Sequence, residues 1–90
     1  MLDEDLVFRA LADSSRRFLL DLLFQREGQT LGALEAQLDM TRFGVMKHLR
    51  VLERAGLISQ GRKAQWRPCR LEIGPLKDAA AWIEQYRDIW

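Results

Sequence analysis

Arg42, Phe43, Met46, Lys47 and Arg50 are spaced so that a helix would gather cations and apolar groups on one side. At about 100° per residue, with Arg42 at 0°, Met46 falls at roughly 40°, Arg50 at 80°, Phe43 at 100° and Lys47 at 140°. Val45, Leu49 and Leu52 fall together at roughly 280–340°. One face needs a core; the other needs an anion. Arg42 to Arg50 rises about 12 Å, close to the width of the DNA major groove, which admits one helix. An arginine can fork onto O6 and N7 of guanine or clamp a phosphate, and Phe or Met can meet a thymine methyl. That chemistry accounts for apolar side chains among cations. Gly44, in their midst, would allow close approach to another backbone, at about 1 kcal/mol relative to Ala.

The flanking residues must position this face. Thr41 suits the N-cap, with Met40 and Val45 at the two hydrophobic-staple positions. Gly56 suits a left-handed end, with Leu57 folding back on Leu52. The helix therefore runs from about Arg42 to Ala55. Thr30 can cap a shorter helix bearing Leu31, Leu34 and Leu38, with only Asp39 to Thr41 between the two. Such a pair is a helix-turn-helix. Upstream, a first helix spans about Asp3 to Ala12. Asp13 or Ser14 caps a second, "RRFLLDLLFQRE", which is apolar nearly all round and hence central, and Gly28 ends it.

Beyond Gly56 the period changes to two. "LISQ", a Gly-Arg-Lys turn and "AQWRPCRLEI" read as a β-hairpin with Cys69, Leu71 and Ile73 on one face. Pro68 confines that strand to an edge or a bulge. Arg62 and Lys63 at its tip could reach a flanking phosphate or the minor groove. Pro75 opens a last helix. The expected fold is mainly α with a small β-hairpin wing, a winged helix-turn-helix of order ααααββα, forming one domain over residues 1–90. Thr41, Arg42, Phe43, Met46, Lys47, Arg50, Arg62 and Lys63 are its candidate DNA-contacting residues.

Charge supports this placement. Net charge is only +1, but residues 41–70 carry eight cations against Glu53 alone, while residues 1–40 carry four against eight acids. Exposed charges act within about 10 Å, so the regional balance is what a partner feels. No apolar run is long enough for a membrane span. The acidic start "MLDEDL" is unlike a secretory signal, and a single cysteine forms no internal disulfide. These features fit a reducing cytoplasm.

The last helix carries two apolar stripes: Leu76, Ala80 and Ile83, then Ala79, Trp82, Tyr86 and Ile89. Together they exceed what one face buries in so short a chain. Leu2, Leu6, Ala79, Trp82, Ile83, Tyr86, Ile89 and Trp90 are therefore expected at a homodimer interface.

"VFRALADSSRRFLLDLL", "MTRFGVMKHLRVLERAGLIS" and the wing's "GR" resemble the ArsR/SmtB family of bacterial transcriptional repressors over nearly the whole chain. The most specific piece, "KHLRVLERAGLI", follows the family's "HLKVLREAGLV". The resemblance implies a homodimer that binds an imperfect promoter palindrome. Ser14 and Ser15 stand where members often have Pro and Thr, and Met46 where many have Ser or Thr. Many relatives sense metals through cysteines of the third helix or Asp/His sets of the last; here those helices hold no Cys and no His. The ending "AWIEQYRDIW" resembles a subgroup without metal sites. No cofactor is expected, and no inducer is legible.

Two other readings stay open. The winged helix could contact an acidic protein, or Cys69 could serve a redox or small-molecule sensor. His48, at roughly 240° on the core flank of its helix, reads as a hydrogen-bonded packing residue. No nucleophile, base or phosphate-binding loop forms a catalytic set, so no enzyme activity is expected.

Overall fold

The chain folds as helices around a two-stranded hairpin in the computed structural model, which describes residues 3–61 and 68–89. Helices α1 (Asp3–Leu11), α2 (Ser14–Gln25), α3 (Leu31–Glu35) and α4 (Arg42–Arg54) precede β1 (Ile58–Gln60) and β2 (Cys69–Leu71). Helix α5 (Gly74–Glu84) follows, then a 3₁₀ turn at Arg87–Ile89. The order is the expected ααααββα.

Local chemistry sets the element ends. Asp13 Oδ1 accepts from the amides of Ser15 at 2.8 Å and Arg16 at 3.2 Å, capping α2. Desolvation pushes the Asp13 carboxyl up, but the Arg16 and Ser15 amides, with the Arg16 charge nearby, outweigh it and hold it below its usual 3.8. Thr30 Oγ1 accepts from the Ala33 amide at 3.2 Å, and Thr41 Oγ1 from the Gly44 amide at 3.0 Å. Gly56, at φ 75°, closes α4. Its amide donates to Glu53 O and the Leu57 amide to Leu52 O, both at 3.0 Å, the paired bonds of a Schellman end.

The core draws on every helix. Val7 and Ala10, Leu19 and Leu23, Leu34, then Val45, Leu49 and Leu52 are buried with Leu57, Ile58, Cys69 and Ala79. Each such leucine or valine contributes about 1.5–3 kcal/mol. Met40 packs on the cluster that holds Val45, as its staple position requires.

Several expectations need correction. Helix α2 is not buried all round: Phe18 is exposed, and Phe24 is 81% exposed near the helix end. Helix α3 stops at Glu35, so residues 36–41 separate it from α4 instead of three. The chain tightens there through Gln37 N to Leu34 O at 3.1 Å and Leu38 N to Glu35 O at 3.2 Å, which keeps Leu38 against the core. Ile73 leaves the strand face. The β1–β2 register closes with Ile58 opposite Leu71, and Ile73, at the N-cap of α5, is 57% exposed. Ala80 is likewise exposed, whereas Leu76 packs on the core. The last apolar stretch does not stay helical to Ile89, because the backbone tightens after Glu84.

The wing's base fits together around Gly61 and Pro68. The Gly61 amide donates to Pro68 O at 3.0 Å, and a Cβ on Gly61 would sit 2.8 Å from the proline ring. Glycine is what lets that edge-strand proline stand there.

Candidate nucleic-acid interface

Burial of Val45, Leu49 and Leu52 fixes the rotation of α4 and turns its other side outward. Thr41, Arg42, Phe43, Lys47 and Arg50 are exposed on that side, and Met46 is half-buried beside them. Phe43 is 68% exposed, which is costly for an aromatic unless something covers it. It is not folded back into the core.

The cations on this face differ in what holds them. Lys47 Nζ lies 5.8 Å from the centroid of the Phe43 ring, a cation–π contact. Arg42 Nη1 donates to Glu35 Oε2 at 3.4 Å, tying the start of α4 to the end of α3. Arg50 has no hydrogen-bond, ion-pair or ring partner among the described residues. Arg62 and Lys63 of the wing tip lie outside the described residues, as do Leu2 and Trp90.

Gly44 does not serve close packing within the chain. A Cβ there would meet Thr41 Oγ1 at 3.4 Å and Met40 Sδ at 3.6 Å, ordinary contacts, so the protein's own interior leaves room for Ala.

Gln29, absent from the sequence reading, joins this unit to the wing. It is 6% exposed. Its Nε2 donates to Leu22 O at 2.7 Å and Arg26 O at 3.0 Å, and its Oε1 accepts from Gln37 Nε2 at 2.9 Å. Its carbonyl accepts from the Cys69 amide at 2.9 Å, while Gly28 N donates to Cys69 O at 3.0 Å. One buried amide thus links the end of α2, the turn after α3 and strand β2. Glu35 was missed as well. Neither had a local signal, because each partner lies on another element.

The expected dimer residues are placed unevenly. Ala79 is a correction: it faces this chain's own core at 2% exposure and has no surface to offer a partner. Leu6 is half-buried and packs on the core. Trp82, Ile83, Tyr86 and Ile89 remain exposed. Phe8 meets Trp82 edge-on at 5.5 Å and Trp82 meets Tyr86 at 5.2 Å, so α1 and α5 share an aromatic ridge. An open cleft of about 570 Å³, lined by Leu6, Trp82, Arg54 and Asp78 among others, lies between them.

Cys69 is fully buried, and burial with the nearby Glu53 charge pushes its thiol up to about 11. A redox role needs an accessible thiolate, which this environment opposes. Among the described residues no group of three or more His, Cys, Asp or Glu could hold a metal ion, and no helix is long and apolar enough to cross a membrane.

Two helices joined by a turn, the second cationic and followed by an antiparallel hairpin, define a winged helix-turn-helix. A helix-turn-helix domain family matches residues 11–60. The chain is 40% identical to the uncharacterized HTH-type transcriptional regulator YuzN of Bacillus subtilis (strain 168), covering 91% of this chain and 97% of that one. It is 32% identical to the transcriptional repressor SdpR of the same organism, over 86% of this chain and 84% of that one. A crystal structure of an ArsR family transcriptional regulator superposes with a TM-score of 0.87 at 31% identity, covering 98% of this chain and 90% of the other. The chain belongs to the ArsR-type family of winged helix-turn-helix transcriptional regulators. It is a regulator, not an enzyme.

Proposed function

We propose that the protein is a homodimeric repressor of a bacterial cytoplasm whose residues 1–90 act as one DNA-binding domain on a promoter palindrome. The observation that carries this reading is the division of α4, with Val45, Leu49 and Leu52 buried and Arg42, Phe43, Lys47 and Arg50 exposed opposite them. In this reading α4 enters the major groove. Its first turn meets base edges, and Thr41, Met46, Lys47 and Arg50 line the groove and its phosphates. Arg62 and Lys63 reach the flanking backbone. Repression is supported by similarity to SdpR, a transcriptional repressor.

A dimer supplies two recognition helices for half-sites about 34 Å apart. Trp82, Ile83, Tyr86 and Ile89, extended by Leu2, Leu6 and Trp90, form its contact. Large aromatics and Ile are costly to leave in water and suit an interface anchor. Neither a metal nor a cofactor takes part.

The test is an electrophoretic shift with the upstream region of the protein's own gene against a scrambled duplex, at several salt concentrations and with a chelator. The expected result is preferential, salt-sensitive retardation that the chelator leaves unchanged. Equal affinity for both duplexes, or no retardation, would reject the reading.

A further inference from the structure

We propose that Glu35 is a positioning residue that sets the base specificity of Arg42 by holding its guanidinium in one orientation where the recognition helix begins. This rests on the reading of α4 as the DNA-facing helix. Glu35 is the last residue of α3 and Arg42 the first of α4. The turn between them brings Arg42 Nη1 to 3.4 Å from Glu35 Oε2. Both groups face solvent, with the arginine side chain 61% exposed and the glutamate 33%. The pair is part of the outward surface of the helix-turn-helix.

An unrestrained arginine has a long flexible stem and can satisfy itself on any nearby phosphate, whatever the sequence. A guanidinium is a rigid planar fork with five donors. Holding one nitrogen directs the others, leaving a donor edge for the paired acceptors of a guanine. The carboxylate has a second effect. It repels phosphate oxygens, so the pair gains less from the backbone than a lone arginine would. It can also accept from the amino group of a cytosine, which no phosphate offers. Glu35 thus lowers indiscriminate affinity and sharpens discrimination at one base pair. An exposed ion pair is weak, so it orients Arg42 without locking it away.

The experiment starts by selecting preferred duplexes from a random-sequence pool with the full-length wild-type protein. Binding is then measured on the selected duplex and on single-base-pair variants of it. The wild type, Arg42→Ala, Glu35→Ala, Glu35→Gln and Asp39→Asn are compared. Asp39→Asn removes the same charge from the same turn but leaves the ion pair intact.

Wild type should discriminate one base pair, lost in Arg42→Ala, by about tenfold or more. Glu35→Ala should reduce that discrimination to below about threefold and raise affinity for arbitrary duplex by up to about fivefold. Glu35→Gln should lie between. Asp39→Asn should move all duplexes alike and keep the discrimination. If Arg42→Ala costs affinity at one position while Glu35→Ala discriminates as wild type does, this proposal fails and the DNA reading stands. It also fails if Asp39→Asn reproduces Glu35→Ala. If no sequence is enriched, or Arg42→Ala binds every duplex unchanged, the reading beneath it fails too.

Discussion

The Arg16 guanidinium donates from Nη1 to His48 Nδ1 across 3.2 Å, joining the start of α2 to α4. Arg16 Nε also donates to Ala10 O at 2.8 Å, and Nη2 to Arg9 O at 3.1 Å. Arginine can only donate, so Nδ1 is the acceptor and the ring proton sits on Nε2. One side chain therefore closes the end of α1 and steadies the flank of α4. Arg16→Met keeps the stem but removes three hydrogen bonds. It should cost about 1–3 kcal/mol in urea unfolding, because the part-buried Ala10 carbonyl and His48 ring lose their donor. Nitrogen-15 shifts of His48 should show the Nε2-protonated ring in wild type. Unchanged stability in the variant would show that water replaces the guanidinium freely.

Three of the cations of α4, Arg42, Lys47 and Arg50, should respond differently to truncation. Arg50 gives up no partner among the described residues on meeting DNA, so Arg50→Ala should weaken all duplexes and lower the salt slope by about 0.9. Lys47 must exchange its contact with Phe43, itself worth about 0.5–1 kcal/mol at an exposed site, so Lys47→Ala should have a smaller effect of the same kind. Arg42→Ala should cost about 1–3 kcal/mol on the preferred sequence alone. None should unfold the protein, whereas Leu49→Ala, in the core, should cost about 2–5 kcal/mol. Salt titrations on preferred and scrambled duplexes, with thermal melts of each variant, separate these cases.

Gly44→Ala separates folding from binding. The protein has room for the added methyl, and Ala is favoured over Gly within a helix by about 1 kcal/mol. The melting temperature should rise. DNA affinity should fall if the backbone of α4 approaches the duplex at this point. A variant that is both more stable and equally tight in binding would show that no such approach occurs.

Ile89→Asp tests the dimer without disturbing the monomer. Ile89 is 79% exposed, so its replacement removes almost nothing from the chain's own packing. A charge in an apolar contact between two copies is costly. Sedimentation should show a wild-type dimer at tens of micromolar and a monomeric variant with native helix content. A wild-type monomer, or a variant that still pairs, would remove the aromatic ridge from the interface.

The Cys69 thiol should resist iodoacetamide in the folded protein and react once it is denatured, because burial holds it neutral and closed off. Its folded value of about 11 lies above the ordinary 9.0. The unfolded chain therefore releases this proton at lower pH than the folded one. The stability linked to Cys69 is fully present below about pH 9 and is lost as pH rises towards about 11. Unfolding of wild type and Cys69→Ala should differ in pH dependence only across that window. Rapid alkylation of the native protein would reopen the redox reading.

What the sequence determined by itself were features written over short stretches of chain. Thr30 and Thr41 cap amides three residues away, and Leu57 returns to Leu52, so spacing alone could place these ends, whereas at the start of α2 it left Asp13 or Ser14 open and the structure puts the bonds on Asp13. The buried and exposed faces of α4 followed from helical periodicity, because one rigid element carries both. Tertiary structure decided whatever depends on two elements meeting. It paired Arg42 with Glu35 and Arg16 with His48, and set Gln29 between α2, the α3–α4 turn and β2. It left Phe24 and Ile73 in solvent and took Ala79 into the core. An apolar residue records only that burial would be favourable; which surface arrives to bury it is fixed by the packing of the whole chain.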